Sequence, residues 1–157
     1  MSVALSRGIL RCVGTDTIRQ IMRTTDSSPA LHRSSYSGDR DPIQNWRECC
    51  EVLDSSVFGL VDDAIKRGVS LVIEGVHVIP SNDLLDKWRS AGGSAVGCVL
   101  TITDADAHLN LIIRRGELSC RSADHQVKAF SRIRAIQDEM IRLGKSTNIV
   151  HIVKIAD

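Results

Sequence analysis

Residues Leu71-Val-Ile-Glu-Gly-Val-His-Val-Ile-Pro80 most constrain what this chain can fold into. A short apolar run that stops at a carboxylate and a glycine reads as a strand buried on both faces, the kind that parallel sheets covered by helices contain. Glu74 and His77 then emerge at its carboxyl end, where open α/β sheets hold their ligands. Leu10-Arg-Cys-Val-Gly-Thr-Asp-Thr-Ile-Arg19 repeats the logic, passing from a short apolar strand through a glycine to a charged pair at the start of a helix. Two acidic strand ends in one small chain suggest chemistry on phosphate.

The rest of the chain fits an α/β domain, because strands alternate with amphipathic helices as they do in βαβ units. Val69–Ile73 and Gly97–Thr103 are the clearest strands; Leu10–Val13 and Asn148–Ile155 complete a set of four. Asp41-Pro42 supplies a helix cap and a first-turn proline, and Trp46, Cys49, Leu53, Val57, Leu60 and Ala64 recur at helical spacing up to Gly68. Residues 81–90 read as a short helix closed by Gly92-Gly93. Asp104 caps a helix whose Leu109, Ile112 and Ile113 face the core, and Asp124 opens another with the stripe Val127, Phe130, Ile133, Ile136 and Met140. Residues 27–41 form the longest loop.

The 157 residues suit a single domain, 1–157. A net charge of +1 and scarce aromatics argue against nucleic acid, and no stretch is long enough to span a bilayer. Residues 1–15 lack acids and carry Arg7 and Arg11, a faint likeness to a transit peptide, but a helix end followed by a strand describes them better. Five cysteines without a C-x-x-C pair point to a reducing compartment, the cytoplasm, with Cys12 and Cys98 as small hydrophobes and no metal site among them. Oligomeric state is not legible in the sequence.

Four places carry candidate chemistry. Asp16 and Arg19, three residues apart beside Ile18, Ile21 and Met22, can polarise a hydroxyl and hold an anion; equally, Thr15 or Asp16 caps the helix and Arg19 forms a surface pair. Glu74 sits where a Mg²⁺-bound water or an attacking hydroxyl is held, with His77 to orient it, or both are strand-end polar groups satisfied by their neighbours. Arg114, Arg115 and Arg121 form either a mobile lid over phosphate oxygens or a solvated basic turn. Gly144-Lys-Ser-Thr147 imitates the end of a phosphate-binding loop. However, Glu139 stands where the first glycine of G-x-x-x-x-G-K-[ST] belongs, and the segment follows a helix and precedes a strand, so it reads as a glycine C-cap.

Gly14-Thr-Asp-Thr-Ile-Arg-Gln-Ile-Met-Arg23, Leu31-His-Arg-Ser-Ser-Tyr36, Leu71 to Pro80 and Phe130-Ser-Arg-Ile-Arg-Ala-Ile-Gln-Asp138 together resemble the 2-phosphoglycerate kinase family of P-loop phosphotransferases, with its eukaryotic relatives linked to inositol-phosphate metabolism. The resemblance implies a parallel sheet with helices on both faces, ATP and Mg²⁺ as cosubstrates, and phosphoryl transfer to a small phosphorylated metabolite. Asp16, Glu74 and Arg115 would be catalytic. Arg19, His32, Ser34, Ser35, Tyr36 and His77 would bind the acceptor, and Arg114 and Arg121 would belong to a lid over residues 114–126. It also implies a central strand and phosphate loop ahead of Leu10–Val13, where Met1 already stands. The expectation is therefore an N-terminally incomplete domain, inactive alone; the alternative is a non-catalytic module that binds a phosphorylated metabolite.

Overall fold

The computed structural model describes residues 4, 6–36, 38–118, 122–147 and 150–155. Among them lie four strands and seven helices. In chain order these are β1 (Arg11–Gly14), α1 (Thr15–Met22), α2 (Pro29–His32), α3 (Pro42–Arg67), β2 (Leu71–Glu74), α4 (Asp83–Ser90), β3 (Gly97–Thr101), α5 (Ala105–Leu118), α6 (Asp124–Lys128), α7 (Phe130–Ser146) and β4 (Val150–Lys154). The class is α/β, and each strand pairing is parallel.

The strands form two separate pairs rather than one sheet. β1 lies beside β2 with Gly14 opposite Glu74, and β3 lies beside β4 with Gly97 opposite Val150. No backbone ladder joins β2 to β3. Helix α3 spans the gap in the architecture. Asp41 caps it by accepting from Gln44 N–H at 2.7 Å, and Gly68 ends it at φ +62°, where a side chain would be strained. Its stripe buries Cys49, Leu53 and Val57 against Ile18 and Leu31 on one side. On the other, Trp46 and Cys50 meet Ile136 of α7, with Met140 and Leu143 packed against them. Trp46 is fully buried and donates its indole N–H to the Val76 carbonyl at 2.6 Å, which ties α3 to the segment after β2.

The motif on α7 does structural work along its length. Gln137 accepts from the Ile102 N–H and donates to the Ile102 carbonyl, both at 3.2 Å, completing the carboxyl end of β3 as a neighbouring strand would. Arg134 donates to the carbonyls of Ile102 and Thr103 at 2.6 and 3.2 Å. Arg47 of α3 and Arg142 both pair with the largely buried Glu139, which holds that carboxyl at about 2, Arg142 contributing most.

Several expectations are corrected. Gly144 does not cap α7 but is buried within it; the helix ends at Thr147, whose Oγ1 donates to the Gly144 carbonyl at 3.0 Å. The expected helix from Asp124 breaks at Ala129 into α6 and α7, and of its stripe only Ile136 is buried. α5 keeps its Asp104 cap, Oδ1 accepting from Ala107 N–H at 2.8 Å, but buries no residue, so Leu109, Ile112 and Ile113 are not core. α1 is capped by Gly14 with no side-chain bond, and Ile21 is 64% exposed instead of facing the core. Cys98 is exposed on β3, where one side of the strand stays uncovered. The order helix then strand at 144–154 stands, which leaves Lys145 in the last turn of a helix and not in a phosphate loop.

Leu53 is fully buried in the α3 stripe, among Ile18, Leu31, Cys49 and Val57. Leu53→Ala is therefore expected to cost about 2–5 kcal/mol in a denaturant melt; a loss well under 1 kcal/mol would mean that α3 is not the core helix.

Candidate active site at the carboxyl ends of β1 and β2

Because Gly14 is level with Glu74, the chain leaves both strands at one height. Two glycines make the approach possible. A Cβ on Gly14 would lie 3.0 Å from Glu74 Oε1, and a Cβ on Gly75, whose φ is +128°, would collide with Thr15 Oγ1. Thr15 is buried between the strand ends, its Oγ1 accepting from His77 N–H at 3.4 Å. The apolar run followed by Glu-Gly in the sequence thus corresponds to a close crossing of two backbones.

His77 is the centre of the arrangement and is only 3% exposed. Nδ1 lies 3.3 Å from Asp16 Oδ1, an ion-pair distance without the alignment of a good hydrogen bond. Nε2 lies 3.2 Å from Ser35 Oγ and 3.5 Å from Arg19 Nη1. The Cys49 thiol of α3 faces the same ring. Burial is the largest influence on His77 and pushes its pKa down, but Asp16 and Cys49 together outweigh it and the net shift is upward. Asp16 moves the other way: His77 holds it below the usual carboxylate range against a desolvation cost, with Arg19 and Arg115 adding their charge. Burial pushes the Cys49 thiol up, yet His77, Arg19 and Ser35 bring it net below its ordinary value.

The exposure of the two partners is opposite. The Asp16 carboxylate is 78% exposed and His77 stands behind it, so a solvent-borne molecule meets Asp16 first. His77, expected to bind the acceptor, is thus buried behind Asp16 and beside Ser35, with little of its own surface open to solvent. Arg19 is likewise 8% exposed, and its donors point inward, Nε to the Leu31 carbonyl at 2.9 Å and Nη2 to the Arg33 carbonyl. Among the described residues Arg19 makes no ion pair, and two of its donor nitrogens are engaged by backbone carbonyls. Its neighbour Arg23 donates to the same Leu31 carbonyl at 2.6 Å.

The remaining candidates are distributed around this centre. Ser35 is buried against His77, Ser34 is half-buried, and Tyr36 sets its ring 5.5 Å from that of His125. His32 is exposed with Nε2 3.1 Å from the Asp26 carbonyl. Glu74 is exposed beside Gly14, its Oε1 within 3.0 Å of where a Cβ on Gly14 would lie. Arg114 and Arg115 are exposed on α5, and the charge of Arg115 is felt at Asp16. Arg121 lies outside the described residues, and so does part of the expected lid over 114–126. The sequence reading missed Thr15, Cys49 and Arg23; Cys49 sat in an apolar stripe that signalled only core.

The described residues hold no group of three or more His, Cys, Asp or Glu side chains able to bind a metal. Mg²⁺ commonly takes one or two carboxylates and keeps several waters, so the exposed Glu74 suits a hydrated ion. The nucleotide fits less well. The chain has no G-x-x-x-x-G-K-[ST] run, and its Gly-Lys-Ser segment is helical.

The parallel strand pairs and the acidic strand ends are consistent with a P-loop kinase-like α/β domain. No protein-family model matches the sequence, and no solved structure matches it significantly. Curated proteins do match. The chain is 32% identical over 168 residues to the 2-phosphoglycerate kinase of Methanocaldococcus jannaschii, covering 99% of this chain and 54% of that protein. It is 30% identical to the 2-phosphoglycerate kinase of Methanopyrus kandleri, covering 90% and 47%, and 24% identical to that of Pyrococcus horikoshii, covering 94% and 51%. The chain is thus a relative of the 2-phosphoglycerate kinases over nearly all of its length, and it spans about half the length of the curated relatives it matches.

The Asp16–His77 pair has a defined pH signature. Asp16, lowered from 3.8, contributes stability that is present above 3.8 and lost as pH falls through its folded value. His77, raised from 6.5, contributes stability that is present below 6.5 and lost as pH rises through its folded value. The stability difference between the unaltered chain and Asp16→Asn should therefore be largest between these two pH values and shrink on either side. NMR titration of His77 should show its pKa fall in Asp16→Asn; an unchanged titration would remove Asp16 as the partner.

Proposed function

We propose that this chain carries the acceptor side of an ATP-dependent phosphotransferase that acts on a small phosphorylated metabolite of the 2-phosphoglycerate kind. The observation that supports this best is Asp16: an exposed carboxylate at a strand end, kept ionised by a buried His77, within reach of the Arg115 charge. The relatives named 2-phosphoglycerate kinase support the substrate class.

In this reading Asp16 accepts a hydrogen bond from the acceptor hydroxyl and aims its oxygen. A carboxylate held below its usual range is a weak base, so orientation of the hydroxyl is its main task. A loose phosphoryl-transfer transition state needs little prior deprotonation. Residues His32 and Ser34 to Tyr36 shape the pocket, while Arg19 and His77 act from behind by fixing that loop and Asp16. Glu74 would hold a hydrated Mg²⁺, which supplies charge neutralisation when bound, and Arg115, with Arg114 and Arg121 beside it in a lid over 114–126, would offset charge on the transferring group. No step is assigned to a nucleotide on these residues, because no phosphate cradle is found among them. Residues 1–157 act as one α/β unit in this proposal.

Two measurements test it. In the whole protein, Asp16→Asn should lower turnover by at least about 10²-fold, roughly 2.7 kcal/mol of transition-state stabilisation, with the melting temperature little changed; full activity would remove Asp16 from the chemistry. The chain by itself should bind ATP no more tightly than about millimolar, about −4 kcal/mol. Micromolar binding would locate a nucleotide site among these residues, whereas metabolite binding without turnover in the whole protein would favour a non-catalytic module.

A further inference from the structure

Guanidinium groups hold the loop after α2 from two directions. From α1, Arg19 and Arg23 share the Leu31 carbonyl, and Arg19 also reaches the Arg33 carbonyl. From α7, Arg132 donates Nε to the Tyr36 carbonyl at 2.6 Å and Nη2 to the Arg40 carbonyl. The Tyr36 ring meets His125 of α6 at 5.5 Å and 48°. Arg132 thus sits just past the break between α6 and α7 and grips a loop 96 residues away in sequence.

Arg19, Arg23 and Arg132 form no ion pair with a carboxylate among the described residues. With no carboxylate paired to them among the described residues, these three guanidinium groups place positive charge around the loop, which suits an anionic ligand. The two Arg132 bonds also use the planar fork of the side chain. A lysine ammonium, a point charge, cannot span both carbonyls.

We propose that Arg132 is a positioning residue for the phosphorylated acceptor, fixing the loop at Tyr36 and Arg40 and tying it to the α6–α7 junction. This rests on the acceptor reading of residues 32–36. The geometry separates it from simple attraction by charge: attraction needs only a cation at position 132, whereas positioning needs the fork.

Arg132→Lys keeps the charge and loses the fork, and Arg132→Gln loses both. In the full chain, amide hydrogen exchange over residues 33–41 should speed up about fivefold or more in both variants, with residues 46–64 of α3 unchanged. Calorimetric titration of 2-phosphoglycerate should show affinity about tenfold weaker in both, the scale of one charged hydrogen bond. If Arg132→Lys binds as tightly as the unaltered chain while Arg132→Gln binds more weakly, charge suffices and the positioning role is overturned. Unchanged exchange in both variants overturns the clamp itself. Faster exchange with unchanged affinity, or no 2-phosphoglycerate binding by the unaltered chain, overturns instead the acceptor reading on which the role depends.

Discussion

Two strand pairs that share no hydrogen bond have to be held in place by something else, and the contact of α3 with α7 does this. Trp46 and Cys50 close on Ile136, and Arg47 crosses to Glu139 at the edge of the same contact. The apolar part supplies the energy, about 1.5–3 kcal/mol for each large side chain fully removed from water. The Arg47–Glu139 pair, whose arginine is partly exposed, adds little energy but links the two helices, while Arg142 binds Glu139 within α7. The same helix also reaches the strand ends of β1 and β2, because α3 packs on Ile18 and Leu31 and presents Cys49 to His77.

The site itself is built inward from an exposed carboxylate. Asp16 faces water, His77 stands behind it, and Arg19 of the same helix as Asp16, with Ser35 and Cys49 from two further segments, surrounds His77. A buried imidazole with polar neighbours on several elements is costly to form unless each is in place. In place, these neighbours hold the imidazole behind the exposed Asp16 carboxylate. Arginines that a sequence reading assigns to anion binding are here partly occupied with backbone carbonyls, which shifts their contribution from contact to architecture.

The strand ends were legible because their cause is local: an apolar run stops where the chain reaches the sheet edge, and β1 and β2 fall within two residues of expectation. The α3 boundaries were legible for the same reason, through Asp41, Pro42 and Gly68. What escaped was tertiary. Gly144 has the composition of a cap, and only its burial inside α7 shows otherwise. Leu109, Ile112 and Ile113 have core spacing, yet no partner surface among the described residues covers α5. Spacing brought Asp16 and Arg19 to one helix turn but could not reveal that His77 would reach both, nor that Arg19 would face inward.

The Trp46 indole offers a last consequence. Its N–H is fixed to the carbonyl of Val76, the residue directly before His77, and the ring is sealed from water beside Cys50. Light absorbed by this residue therefore reports on a bond one peptide unit from the imidazole. Any displacement of the 75–77 segment must stretch or break that bond and change the emission. The chain consequently contains an intrinsic optical reporter one residue from the buried His77, and once the emission of Trp88 is subtracted, displacement of that segment can be followed without attaching a label.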